Sequence, residues 1–244
     1  MFNLEKKNAL HKAQLYRLLI GLLDNKKIAP NIFFKGGTCT AMLGFLDRFS
    51  VDLDFDLKKG ANKQDLRKKL HLIFKGLGLA VKDESKSALQ FFLKYQAPQG
   101  QRNTMRLEIL DNPFLTIDYK PQYFKEIDRT AICQTKESIF ANKLVALTDR
   151  YKRRKTLAGR DVYDVHYFFS QGYDYKQEIV KERTGKSALL YMKELKVFIK
   201  NKMSQTIINQ DINFLLPCKK FKIISKTLKI ETLVMIDDEI KRFL

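Results

Sequence analysis

Asp52, Asp54 and Asp56 occupy alternate positions in the segment SVDLDFDL. In an extended strand this spacing turns all three carboxylates to one face, and Val51, Leu53 and Phe55 to the face that packs on a core. Carboxylates two residues apart converge just above the strand. Their repulsion makes a hard divalent cation such as Mg2+, or Mn2+, a natural partner. Taken alone, the three acids would equally suit the solvent face of an antiparallel strand. Upstream lies KGGT, with Gly36 and Gly37 before Thr38. Paired glycines let backbone amides come close to an anion, and the free N–H groups of a helix start favour phosphate. The bland alternative is a strand-to-helix turn capped by Thr38. A phosphate cradle one helix-length before a carboxylate strand supplies both halves of a nucleotide–metal site. The loop is not GxxxxGK[ST], and neither HRD nor DFG occurs, so Walker-type and protein-kinase sites are excluded.

These residues need elements to position them. The apolar spacing of Leu15, Leu18, Leu19 and Leu22 predicts an amphipathic helix over residues 3–24. A short strand at 31–34 leads into the glycines, and a helix runs from Thr38 to about Leu46. The acidic strand covers Ser50 to Leu57. A basic amphipathic helix follows at Lys63 to Lys75. Further strands are expected at 79–83, 88–95, 104–110 and from Phe114 to Tyr119, separated by APQGQRN and DNP turns. After Pro121 the pattern changes, from about Lys136 the periodicity is mostly helical, and a domain boundary is expected near residues 121–134. The chain therefore reads as α+β, with a mixed-sheet domain over residues 1–125 and a helical domain over 126–244 that completes a cleft.

With 244 residues and 45% hydrophobic content the chain can build real cores. Its formal charge of +19 points to a polyanionic partner, nucleic acid first and an anionic membrane surface second. No apolar run is long enough to span a bilayer, and MFNLEKKNAL has no signal-peptide core, so a cytoplasmic location is expected. Cys39, Cys133 and Cys218 form no CxxC pair and read as reduced, buried thiols. His11, His71 and His166 share no ligand spacing.

KGGT followed by RFSVDLDF resembles the AbiEii/AbiGii-type toxin nucleotidyltransferases of the DNA polymerase β-like superfamily. The positions that carry the likeness are Lys35, Gly36, Gly37, Thr38, Arg48, Ser50, Asp52 and Asp54. TCTAM after the glycines departs from the family's usual TAL-like continuation. The downstream stretch KESIFANKLVALTDRYKRRKTLAGRDVYDVHYF is also similar, through Lys143, Arg160, Asp161, Tyr163 and Asp164. The resemblance implies a polymerase β-like nucleotidyltransferase domain with Asp52 and Asp54 as metal ligands. It implies that Lys35, Gly36, Gly37, Thr38 and Ser50 contact the nucleotide.

Two-metal nucleotidyl transfer calls for a third carboxylate. Glu108 in MRLEIL is favoured, and Asp118 in LTIDYK remains open. Asp56 is read as a neighbour of the site rather than a ligand. Lys143 would neutralise the triphosphate, and Asp161, near a helix start, would orient Lys143 or the nucleotide. Arg150, Lys152, Arg153, Arg154 and Lys155 form a loop suited to RNA phosphates. His166 reads as structural. The implied reaction moves a nucleoside monophosphate from an NTP to an acceptor hydroxyl, with the 3′ end of tRNA or another RNA as acceptor and a cognate antitoxin as partner. The alternatives are a protein or small-molecule acceptor, and a non-catalytic RNA-binding protein that has kept the fold.

Overall fold

The computed structural model describes residues 4–243, so Asn3 at the start of the expected first helix lies outside the described residues. The chain divides into two compact units. One comprises the residues up to Pro113 together with Tyr119–Gln134. The other comprises Phe114–Asp118 and everything from Thr135 onward.

The first unit is built on a mixed sheet. Helix α1 (Leu4–Leu23) leads to β1 (Ile32–Lys35), α2 (Gly36–Met42), β2 (Asp52–Leu57) and α3 (Lys63–Gly76). Strands β3 (Ala80–Glu84), β4 (Leu89–Lys94), β5 (Thr104–Asp111), β6 (Tyr119–Phe124) and β7 (Arg129–Gln134) complete it. The strand order is β3-β4-β5-β2-β1-β7-β6. The acidic strand β2 is central, antiparallel to β1 and parallel to β5. Alternation on these strands sends Leu53, Phe55, Leu89, Phe91, Leu107 and Ile109 into the core. Leu15, Leu18, Leu19 and Leu22 of α1 are fully buried, as their spacing requires. Leu66, Leu70 and Phe74 are the buried stripe of α3, whose first turn is capped by the Asn62 side chain accepting from the amides of Gln64 and Asp65.

The second unit is helical: α4 (Lys136–Arg154), α5 (Gly159–Ser170), α6 (Gln177–Thr184), α7 (Ala188–Lys202), α8 (Gln205–Ile212) and α9 (Cys218–Lys241). Thr135 caps α4, accepting from the Ser138 amide. Phe140 of α4 meets Phe168 of α5 edge to face, with ring centroids 4.9 Å apart. The buried Tyr191 of α7 donates to the Leu144 carbonyl at 2.8 Å, so its hydroxyl enters the core with a partner. Gly159 lies where α5 crosses α8. A side-chain carbon there would fall 2.4 Å from the Ile208 Cα, which is why the helix opens on glycine.

Three expectations change. The sheet does not end at residue 125, because β7 continues it to Gln134 and pairs in parallel with β1. Phe114–Tyr119 is not a strand up to Asp118. The amides of Leu115 and Thr116 donate to Glu182 and that of Asp118 donates to Ser138 Oγ, which ties the segment to the helical unit. Cys39 and Cys133 are buried, whereas Cys218 is exposed. Among the described residues, no helix is long and apolar enough to cross a membrane.

Candidate active site

The β1–α2–β2 connection brings the two sequence signals together. Lys35 is the register partner of Asp54 across β1 and β2. Gly36 follows at once, with φ +78, a backbone state that favours glycine. A side-chain carbon on Gly36 would lie 2.5 Å from Asp54 Oδ2, and one on Gly37 would lie 2.8 Å from Ser50 Oγ. Gly36 is therefore needed to let the turn close over Asp54, and a side chain at Gly37 would make the Ser50 hydroxyl shift. Thr38 does not cap α2. Its hydroxyl donates to the Asp52 carbonyl, and the N-cap position is Lys35. This bond pins the first turn of α2 to the start of the acidic strand.

On the other side of β2, Asp52 is paired in register with Arg106 and Asp54 with Glu108. Lys35, Asp52, Asp54, Arg106 and Glu108 thus share one face of the sheet. Gln90, the partner of Glu108 on β4, donates from Nε2 to Glu108 Oε1 at 2.6 Å. The Arg106 guanidinium lies 3.4 Å from Asp52 Oδ2, 3.3 Å from Asp54 Oδ1 and 3.6 Å from Glu108 Oε1. Burial works against its charge, but the three carboxylates outweigh burial and hold the guanidinium even more firmly protonated than usual. Three acids around one guanidinium give this group of four side chains a formal charge of −2 inside a strongly basic chain. Its donors are hard oxygens, the set that Mg2+ or Mn2+ prefers, and a cation already sits among them. In donor chemistry the residues suit a divalent ion, but among the described residues no three acidic, histidine or cysteine side chains are gathered closely enough to hold one as they stand.

Asp118 belongs to the helical unit and pairs with Lys176 at 2.5 Å. Asp56 is 2% exposed and accepts from Lys35 Nζ at 2.6 Å, Tyr119 Oη at 2.8 Å and Gln134 Nε2 at 2.5 Å. Its oxygens are occupied by donors, in keeping with a neighbour rather than a ligand, and it anchors Lys35 beside the glycine turn. Burial and the Asp56 charge push the Tyr119 phenol well above its ordinary pKa. Arg106, Gln90, Tyr119 and Gln134 form the supporting shell. Of these, only the alternation of Arg106 with Glu108 is a signal visible in the sequence.

In the helical unit, Lys143 on α4 pairs with Asp164 on α5 at 2.8 Å. Asp164 is completely buried. Asp161, expected to orient Lys143 or the nucleotide, pairs with Arg150, at 3.2 Å from both its Nε and Nη2. The basic stretch is not a loop. Arg150, Lys152, Arg153 and Arg154 lie on the last turns of α4, and Lys155 closes the helix in the left-handed conformation. Lys152 pairs with Glu194 at 3.3 Å, and Arg153 lies 3.9 Å from Asp149. His166 is bonded to Glu231 at 2.7 Å, as befits a structural residue.

A family model described as the nucleotidyl transferase AbiEii toxin of type IV toxin–antitoxin systems matches residues 17–218. Among solved structures, the chain is similar to JHP933 from Helicobacter pylori, with 21% identity over 96% of this chain and 92% of that one and a TM-score of 0.58. It is also similar to MenT4, a nucleotidyltransferase toxin from Mycobacterium tuberculosis, with 18% identity over 95% and 84% of the two chains and a TM-score of 0.56. These likenesses concern the fold. No curated protein matches the chain.

Proposed function

Because the chain belongs to the AbiEii nucleotidyl transferase toxin family, we propose that it moves a nucleoside monophosphate from an NTP to an acceptor hydroxyl, with the 3′ end of tRNA or a related RNA as acceptor. The observation that carries this reading is the gathering of Asp52, Asp54 and Glu108 on one sheet face beside the Gly36–Gly37 turn. Those three carboxylates would hold Mg2+ or Mn2+. When bound there, divalent ions supply Lewis-acid activation of the acceptor hydroxyl and stabilise charge on the leaving pyrophosphate.

The chain's own residues do the positioning. The Thr38–Asp52 bond fixes the α2 start against the metal-binding strand, so nucleotide and carboxylates would be held on one rigid element. Backbone amides around Gly37, with Ser50 beside them, are the groups for the phosphates. Asp56 keeps the Lys35 ammonium at the edge of the glycine turn, where it favours an anionic ligand. Lys143 is the proposed triphosphate cation of the helical unit. Asp164 sets its position, while Asp161 acts through Arg150. Arg150, Lys152, Arg153, Arg154 and Lys155, with the +19 charge, support an RNA acceptor. The type IV assignment of the family supports a cognate antitoxin as the cellular partner.

The test is incubation of the protein and Mg2+ with each labelled NTP and total RNA, followed by size separation. Label in a tRNA-sized band, abolished by Asp52→Ala, is the expected result. Label on protein or on a small molecule would overturn the RNA acceptor and keep the enzyme class. No transfer to any acceptor would overturn the enzymatic reading.

A further inference from the structure

The acidic face contains its own cation. Arg106 stands in register with Asp52, and its guanidinium reaches Asp54 and Glu108 as well, at 3.3–3.6 Å from an oxygen of each acid. The contact with Asp54 Oδ1 has hydrogen-bond geometry. The Nε of the same guanidinium is buried and has no hydrogen-bond partner. A guanidinium placed to satisfy itself would form a paired fork with one carboxylate. This one is spread over three acids and leaves a donor unused, an arrangement set by charge rather than by hydrogen bonding.

A divalent ion would need the same oxygens at roughly 2.0–2.6 Å, much closer than they lie around the guanidinium. Among the described residues, no three acidic, histidine or cysteine side chains are already gathered at that spacing. Metal and guanidinium cannot both occupy the centre of the cluster. Asp56 offers no substitute site, since Lys35, Tyr119 and Gln134 already use its oxygens. Gln90 is neutral and restrains only Glu108.

We propose that Arg106 is the resident counter-ion of the acidic face, that a divalent ion must displace it, and that the displaced guanidinium then pairs with phosphate oxygens of the incoming nucleotide. This rests on the nucleotidyl-transfer reading above. It makes metal and nucleotide load together. Metal alone has to expel the guanidinium without giving it a new anionic partner, whereas a triphosphate brings oxygens that an arginine can grip in a fork. Arg106 is thereby a positioning residue whose effect is on binding order.

The experiment measures Mn2+ binding through the loss of the free-ion electron paramagnetic resonance signal, with and without a non-hydrolysable NTP analogue, each value corrected for the Mn2+ that the analogue binds in a protein-free control. Wild type, Arg106→Gln and Arg106→Lys are compared. The expected result is that wild type binds Mn2+ at least about tenfold more tightly with the analogue than without it. Arg106→Gln should bind Mn2+ alone about tenfold more tightly than wild type and lose most of the coupling. If Arg106→Gln fails to fold by circular dichroism, Arg106→Lys carries the test. Its compact ammonium cannot span three acids, so it should also bind Mn2+ alone more tightly than wild type. A folded variant that binds Mn2+ alone no better than wild type overturns the proposal while leaving the enzymatic reading intact. Absence of Mn2+ binding by every form, with or without nucleotide, overturns both.

Discussion

Replacing Gly36 by Ala probes the coupling between the glycine turn and the acidic strand. The residue has φ +78, and its new carbon would meet Asp54 Oδ2 at 2.5 Å, Cβ at 2.9 Å and Cγ at 3.1 Å. The left-handed backbone costs an alanine roughly 1–2 kcal/mol. Forcing Asp54 aside inside a packed sheet adds roughly 1–3 kcal/mol, for a total loss of about 2–5 kcal/mol. Gly44 supplies the control: its φ is +76, but a side-chain carbon there meets nothing within 4 Å. Gly44→Ala should lose only the backbone part, and the gain from a stiffer unfolded chain is common to both variants and cancels. The difference between the two, about 1–3 kcal/mol, isolates the collision with Asp54. Urea unfolding followed by circular dichroism gives these values from midpoint and slope. Asp54→Gly removes all three close atoms, so Gly36→Ala should cost at least about 1 kcal/mol less in that background. Equal losses for Gly36→Ala and Gly44→Ala, with no coupling to Asp54, would refute the claim that the glycine makes room for the carboxylate.

Two further outcomes follow from buried charge. His11 is buried, with Nε2–H donating to the Val51 carbonyl at 2.9 Å and Nδ1 lying 2.6 Å from the Tyr95 hydroxyl. Burial, aided by Arg102 and opposed by the Val51 bond, lowers its pKa from 6.5 to about 4. The folded chain therefore binds fewer protons there than the unfolded chain. Its stabilising contribution is complete above about pH 6.5 and is lost as the pH falls toward 4. The unfolding free energy from urea titrations should decline over that window by up to about 3 kcal/mol in wild type, and His11→Gln should flatten the decline. Identical pH slopes would contradict the assignment. Lys143→Met removes the ammonium paired with the fully buried Asp164 and should destabilise the helical unit by about 3–5 kcal/mol; adding Asp164→Leu should restore much of this, measured by the same unfolding experiment, and an unchanged single variant would show the pair to be idle.

The sheet face was legible where alternation governed it. Asp52, Asp54 and Glu108 lie on strands whose intervening residues Leu53, Phe55, Leu107 and Ile109 are apolar, and that pattern fixes the facing of each acid. The β6–β7 hairpin was not legible. Its strands lie at the end of the sheet, where a proline at position 121 is tolerated and polar residues face solvent, so the run KPQYFKEIDRT carries no strand-like alternation. The segment from Phe114 to Asp118 reads as β by composition, yet its amides are satisfied by Glu182 and Ser138, far away in the chain. In α5, Asp161 and Asp164 are three residues apart and share a helix side, so spacing cannot tell which of them meets Lys143.

Local order along the chain determined much of this protein: the helix and strand periods, the acidic face, the glycine turn and the family motifs all follow from neighbouring residues. The partners were decided by tertiary structure. Glu108 stands beside Asp54 because β5 runs parallel to β2 in one particular register. Arg106 is drawn among three acids because that register also sets it opposite Asp52. Lys143 finds Asp164, and Arg150 finds Asp161, only once α4 lies against α5. Backbone geometry acts between adjacent residues and can be read in order. Charge pairing acts through space between strands and helices that the sequence keeps far apart, and only the packed chain says which charges meet.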